Sequence, residues 1–164
     1  MHWYQKAAEQ GDDRAQRSLG ARYSLGLGVP KDDVKAARWI EKSAEQGNKS
    51  AQNNLGGRYA FGLGVPQDYA KAALWWEKAA AQGVADSQFA LGVMYIDGRG
   101  VPQDQQKGCG LIRASADQGH KTAINVYNDF CVTGADTSQA DLKKRLDDEI
   151  ARLVKSAKEL GAVR

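Results

Sequence analysis

Cysteine is nearly absent from this chain of 164 residues: Cys109 and Cys131 are the only two, beside two histidines and three prolines. Two cysteines make a poor zinc site, and neither His2 nor His120 stands in a metal-binding or triad spacing with a second partner. No metal, no cofactor and no catalytic residue is therefore expected. Nor is there an apolar run of the roughly 18 residues needed to span a bilayer, or a signal peptide at the start. The net charge of +3 comes without a basic block, so the electrostatic footprint of a nucleic-acid binder is missing. What remains, 26% charged and 42% hydrophobic residues, is ordinary for a soluble globular chain.

The three prolines share one setting. Gly62-Leu-Gly-Val-Pro-Gln-Asp-Tyr-Ala-Lys-Ala-Ala-Leu-Trp75 repeats a stretch 36 residues earlier, Gly26-Leu-Gly-Val-Pro-Lys-Asp-Asp-Val-Lys-Ala-Ala-Arg-Trp39. A worn copy, Gly98-Arg-Gly-Val-Pro-Gln-Asp-Gln-Gln-Lys-Gly-Cys-Gly-Leu111, stands 36 residues later. A fixed period of this size marks an array in which no unit can bury its apolar face alone. Before each copy, apolar and small residues recur at spacings of three and four, the period of one helical face: Ala15, Leu19, Gly20 and Tyr23, then Ala51, Leu55, Gly56 and Tyr59, then Ser87, Leu91, Gly92 and Tyr95. These define a helix A. A glycine within a helix costs about 1 kcal/mol relative to alanine, so Gly20, Gly56 and Gly92 predict that another helix crosses closely there.

That second helix begins just after the proline. Val-Pro stops helix A, and Asp32, Asp68 and Asp104 are placed to cap the N–H groups of helix B. Its apolar face is Ala36, Ala37, Trp39 or Ile40, and Ala44 in one copy, and Ala72, Ala73, Trp75 or Trp76, and Ala80 in the next. Each unit is thus an αα-hairpin. Trp3 lies one period before Trp39, and Gly11 ends its helix, with Asp12 or Asp13 capping the next. The chain opens in the middle of a repeat, which points to a protein shortened at its N-terminus. The expected solenoid, residues 1–132, holds a half repeat at 3–11, full repeats at 12–47, 48–83 and 84–119, and a partial one at 120–132. In the third, Gly108, Cys109, Gly110 and Leu111 replace Ala-Ala-x-Trp, so a looser helix is expected. In the last, Asn128 replaces the helix glycine and Cys131 the tyrosine. A loop from Thr133 to Ser138 then leads, through a capping box of Ser138 and Asp141, into a helix striped by Leu142, Leu146, Ile150, Leu153, Val154, Ala157 and Leu160. This segment, 133–164, reads as a cap on the solenoid or as a dimerisation helix.

The pattern Ala-Gln-x-x-Leu-Gly-x-x-Tyr-x-x-Gly-x-Gly-Val-Pro-x-Asp-x-x-Lys-Ala-Ala-x-Trp, at Ala15 to Trp39 and Ala51 to Trp75, resembles the Sel-1-like repeat, a relative of the tetratricopeptide repeat. The resemblance covers about residues 3 to 127. It implies an all-α fold, a right-handed α-solenoid of helix pairs, serving as a protein-interaction scaffold, common in bacteria, with no shared catalytic residues.

Two features invite a chemical reading that their setting does not support. The Gly-x-Gly runs follow a helix and lead into proline, whereas a dinucleotide fingerprint follows a strand. Asp32, Asp68 and Asp104 fall in successive caps and not around one cleft. Cys109 and Cys131 lie ten and twelve residues either side of Gly119, so both are about 15 to 18 Å from that turn on antiparallel helices. A disulfide and a buried free thiol are equally compatible with that placement; a disulfide would mean a periplasmic or secreted setting, a thiol a cytoplasmic one.

Partner binding is expected on the face of helices A not used for packing, which coincides with the concave side of tetratricopeptide repeats. Its variable positions include Arg17, Ala21 and Ser24, then Asn53, Gly57 and Ala60, then Phe89, Val93 and Ile96, and Asn125. Phe89, Val93 and Ile96 are expected to form an exposed apolar strip of the kind that makes a hot spot, unless the C-terminal helix covers it. Arg17, Arg22 and Arg58 would accept acidic groups. The leading reading is a non-enzymatic scaffold or adaptor for a protein or peptide. The alternatives are an inhibitor or immunity protein wrapping a toxin or enzyme, a cell-wall hydrolase, and a homodimer joined through the C-terminal helix.

Overall fold

Aspartate and asparagine side chains start most of the helices. In the computed structural model, which describes residues 2–132 together with Lys144, Asp147, Asp148 and Ala151, α1 spans His2–Glu9, α2 Asp13–Leu25, α3 Asp33–Glu45, α4 Lys49–Phe61, α5 Tyr69–Ala81, α6 Ala85–Asp97, α7 Gln105–Asp117 and α8 Lys121–Val126, and a π-helical turn follows at Tyr127–Val132. Asp32, Asp68 and Asp104 accept from the backbone N–H of Lys35, Lys71 and Lys107 at 2.9, 3.0 and 2.9 Å, and Asp12 and Asn48 cap α2 and α4 in the same way. The bond from the Lys35 N–H holds the Asp32 carboxyl below its ordinary range. Gly26, Gly62 and Gly98 close the A helices in the left-handed conformation. The expected capping loop and striped helix lie outside the described residues, apart from those four.

The helices pair as the repeat predicts. α2 packs on α3, α4 on α5 and α6 on α7, and each hairpin stacks on the next through α3 with α4 and α5 with α6. The core runs as a spine between the layers, from Ile40, Leu55 and Tyr59 through Trp75 and Trp76 to Leu91 and Met94. The crossing glycines act as expected: a β-carbon on Gly56 would lie 2.6 Å from the Trp76 indole, whose Nε1 donates to the Asn53 carbonyl at 3.1 Å. The third hairpin is not looser. Gly108 meets Gly92 face to face, and a β-carbon on either would fall within 2.8 Å of the other's carbonyl oxygen. Losing the alanine there lets the two backbones touch, and the wedge filled by Trp76 in the second hairpin is taken by Ile112, fully buried, as it is by Ile40 in the first.

Three polar ladders repeat with the same 36-residue period, the first between units and the other two within them. Gln16, Gln52 and Gln88 donate to the carbonyls of Ala8, Ala44 and Ala80 across the turn between hairpins. Gln46, Gln82 and Gln118 then donate to the first three, each at 2.7 Å. Within each hairpin, the motif lysine lies over the motif tyrosine, Lys35 on Tyr23 at 5.6 Å, Lys71 on Tyr59 at 5.3 Å and Lys107 on Tyr95 at 4.2 Å. A hydrogen bond to the Tyr95 hydroxyl keeps the Lys107 ammonium above its ordinary pKa.

The loop after helix A docks on the preceding hairpin. Gly64, at φ +73°, lies so close to the start of α3 that a β-carbon would sit 1.9 Å from the Asp33 carbonyl oxygen, and Gly100 presses on Tyr69 in the same manner. Gly28 has the same conformation, φ +70°, with nothing within 4 Å. At the far end, the Cys109 and Cys131 sulfurs are bonded, with Cα atoms 5.7 Å apart and a sequence separation of 22. The π-helical turn that carries Cys131 is thereby tied to α7.

Urea unfolding should separate docking from conformational strain. Gly28→Ala is expected to cost about 1–2 kcal/mol, the left-handed penalty alone. Gly64→Ala should cost about 3 kcal/mol or more because the new methyl meets backbone. Replacing both cysteines by serine should cost about 3 kcal/mol through the lost loop constraint, read as a lower midpoint that a reductant no longer alters.

Candidate functional site

The face of helices A left over from pairing is largely spent on joining one repeat to the next. Ser24, 5% exposed, donates to the Gly20 carbonyl at 3.1 Å and accepts from the Arg58 guanidinium. Asn53 is half-buried, and its Oδ1 accepts from Ser87 Oγ at 2.7 Å, linking α4 to α6. Ala60 is buried, and its carbonyl accepts from Gln67. Phe89, Val93 and Ile96 are 0, 2 and 5% exposed and form one core with Ile112, Ala123 and Val126. Phe89 also stacks on the His120 ring at 5.0 Å.

The expected open apolar strip is therefore closed. Phe89, Val93 and Ile96 stabilise the junction of the third repeat with α8, and Ser24 and Ala60 are likewise out of a partner's reach. The reason is geometric: Ser24 and Asn53 lie in the seam with the next helix A, as the Ser24–Arg58 and Asn53–Ser87 bonds display. Arg17, half-buried, and Asn125, exposed, keep open surface, and neither makes a hydrogen bond or ion pair with the described residues. Arg14, three residues before Arg17, is exposed as well.

Arg58 is also reassigned. Only 3% exposed, it donates through Nη1 to the carbonyls of Asp33 and Leu63 at 3.2 and 2.9 Å and through Nε to Asn54 at 3.1 Å. Burial pushes its pKa down, opposed by the Asp33 carboxylate 3.7 Å from Nη1. Asp33 Oδ1 is itself buried with no hydrogen-bond partner, and the carboxylate is offset by the guanidinium on that side and by the Lys31 ammonium, 3.6 Å from Oδ2, on the other. Arg58 rivets the second repeat to the first and cannot reach an acidic partner. Arg22 is half-buried and stacks over the Tyr4 ring at 5.0 Å.

Sequence reasoning passed over Arg99, although a signal was present: it stands at the repeat position of Leu27 and Leu63. Its Nη2 donates to Asp97 at 2.6 Å and its Nη1 to Asp147 at 2.8 Å, while the guanidinium carbon lies 5.3 Å from the Tyr69 ring centre. The glutamine ladders were equally readable, since their residues repeat with the period of the prolines. Among the described residues no group of three or more His, Cys, Asp or Glu could hold a metal ion, and no helix is long and apolar enough to cross a membrane.

The sequence model of the Sel1 repeat matches residues 1–12, 13–48, 49–84 and 85–120. The chain belongs to the Sel1 repeat family. Sel1 repeat proteins generally mediate protein–protein interaction, and the family is typically a non-catalytic scaffold. Among solved structures, the chain is similar to a Sel1 repeat protein from Oxalobacter formigenes, at 35% identity over 77% of this chain and 96% of that one, TM-score 0.72. It is similar also to a protective antigen with an SLR fold present in uropathogenic Escherichia coli strains, at 36% identity and TM-score 0.78. That match covers 92% of this chain but 32% of the antigen, so the chain spans about a third of that protein. The cysteine-rich protein B of Helicobacter pylori shares the fold, with 22% identity over 76% of this chain and 90% of its own and a TM-score of 0.58. No protein among curated sequences matches. The Sel1 architecture, an α-solenoid of helix pairs, is thus common to this chain and its bacterial relatives.

Two arginines of successive Sel1 A helices should behave oppositely when each is replaced by methionine. Arg58→Met is expected to lower stability by about 2–3 kcal/mol, since it leaves the buried Asp33 Oδ1 and the carbonyls of Asp33 and Leu63 without their donor. Arg17→Met should stay within about 0.5 kcal/mol. Thermal and urea unfolding of the two variants checks this.

Proposed function

We propose that this chain is a non-catalytic scaffold that holds a segment of another protein against the open part of the helix-A face, around Arg17 on the first repeat. The observation that carries the reading is the contrast between Arg17 and Arg58. The Ser24, Arg58 and Ser87 donors on this side of the solenoid are matched to carbonyls, a hydroxyl or an amide, whereas the Arg17 guanidinium, half-buried, makes no such bond with the described residues. A partly desolvated cation without an internal acceptor is suited to receiving a carboxylate from outside. Exposed Arg14 beside it extends the basic surface, and Asn125 offers an amide at the other end of the array. The bonded cysteines support a setting in an oxidising compartment.

The test is site-specific. A photo-crosslinking residue at position 17 should capture a protein partner from an extract of the source organism, and the same residue at Arg38, on the exposed side of α3, should not. Arg17→Glu should weaken binding of the captured protein at least about tenfold, roughly 1.4 kcal/mol, with the melting temperature unchanged. Equal capture from both positions, or binding indifferent to Arg17→Glu, would sink this reading.

A further inference from the structure

Arg99 differs from the other arginines in what satisfies it. Asp97, two residues away, takes one arm of the guanidinium fork and fixes its plane. The second arm is taken by Asp147, 48 residues downstream and 49% exposed. Burial by itself would lower the Arg99 pKa, but the hydrogen bonds to Asp147 and Asp97 outweigh it and hold the guanidinium above its ordinary value. Beside the fork lies a small, largely enclosed apolar cavity, lined by Ala60, Trp76, Val93 and Met94 between the second and third repeats, with Tyr69, Asp97 and Arg99 completing its wall. The arrangement is a socket: a planar cation oriented by its own repeat, an aromatic shelf beneath it, an apolar floor alongside, and one fork arm turned to a carboxylate.

We propose that the Arg99 fork is a carboxylate-recognition point of the binding surface, and that Asp147 of the chain's own C-terminal segment occupies it as a displaceable stand-in for an acidic residue of the partner. The inference rests on the scaffold reading above and adds a second contact and a form of regulation to it. Charge complementarity carries it. A leucine at this repeat position would serve a solenoid equally well, as Leu27 and Leu63 do, and the fork matches a carboxylate in the way a lysine would not. The Asp147 contact is made from a half-exposed side chain, and exposed pairs of this kind hold weakly. Because the occupant is tethered to the same chain, it competes at high effective concentration and lowers the apparent affinity of an external segment by the fraction of molecules in which the socket is filled.

The experiment uses the full chain and a defined probe, a fluorescein-labelled synthetic peptide with the sequence of residues 140–155, followed by anisotropy. Asp147→Asn in the protein should bind this peptide at least tenfold more tightly than the parent does. The gain should vanish when the peptide carries asparagine at the position of residue 147, and also when Arg99→Gln is added to the protein. Arg99→Lys keeps the charge while losing the fork, and it should keep only a small part of the gain, which guards against a folding defect in the glutamine variant. Equal binding to parent and Asp147→Asn protein, or a gain that survives Arg99→Gln in a folded protein, would overturn the proposal. The crosslinks at Arg17 do not depend on residues 99 and 147, so their presence with a failed peptide assay would discard the latch and leave the scaffold, while their absence with a successful one would do the reverse.

Discussion

Backbone contact between neighbouring repeats, made where no side chain can intervene, is the constraint on which the rest of the structure depends. Gly64 and Gly100 press their loops onto the first residues of α3 and α5. Gly92 and Gly108 bring α6 and α7 together along the same principle. Once these approaches are made, the pitch of the array is set by covalent geometry and hardly at all by the size of the side chains around it. Alanine-rich B helices follow from this, because larger residues at Ala36, Ala37, Ala72 and Ala73 would hold the layers apart. The large side chains are pushed to the seams, where Ile40, Trp76 and Ile112 each fill the space over a helix-A glycine.

A solenoid held this closely has little surface to spare on its inner seams, and that governs its function. Every buried donor must find an acceptor, and the repeating glutamines and Arg58 meet that demand across the repeat boundaries. Specificity is then left to the positions that no seam uses. Arg17 is such a position, half-buried but making none of the seam bonds that claim Ser24 two turns further on. Arg99 is another, since it replaces a leucine whose contribution to the solenoid was only apolar. Structural and recognition roles are divided residue by residue within single helices, and the division follows from which neighbour each side chain meets.

The chain's own period, its hairpins, its caps and its close crossings were all legible in the residues. Asp32, Asp68 and Asp104 cap the helices they precede in sequence, and Gly20, Gly56 and Gly92 lie beneath the partner helix, because capping and helical facing are local properties with a spacing of two to four residues. The looser third hairpin was not found, since Gly108 is opposite Gly92 and the benefit of a glycine pair depends on both members. Phe89, Val93 and Ile96 were read as a surface, and they are core. Helical periodicity identifies a face, but it does not say whether another helix A lies against it.

What the sequence by itself determined is the repeat: its length, its two helices, their start and stop, and membership of the Sel1 family. These follow from short-range chemistry written afresh in each copy. What only the tertiary structure decided is the fate of the variable positions, where two arginines of successive A helices become, in one case, a buried rivet and, in the other, an open cation. That outcome depends on groups 25 to 34 residues away, as the reach of Arg58 to Asp33 and Ser24 illustrates, and on the separation of 48 positions between Arg99 and Asp147. No periodicity encodes such distances, because they are fixed by how far one hairpin rotates on the next.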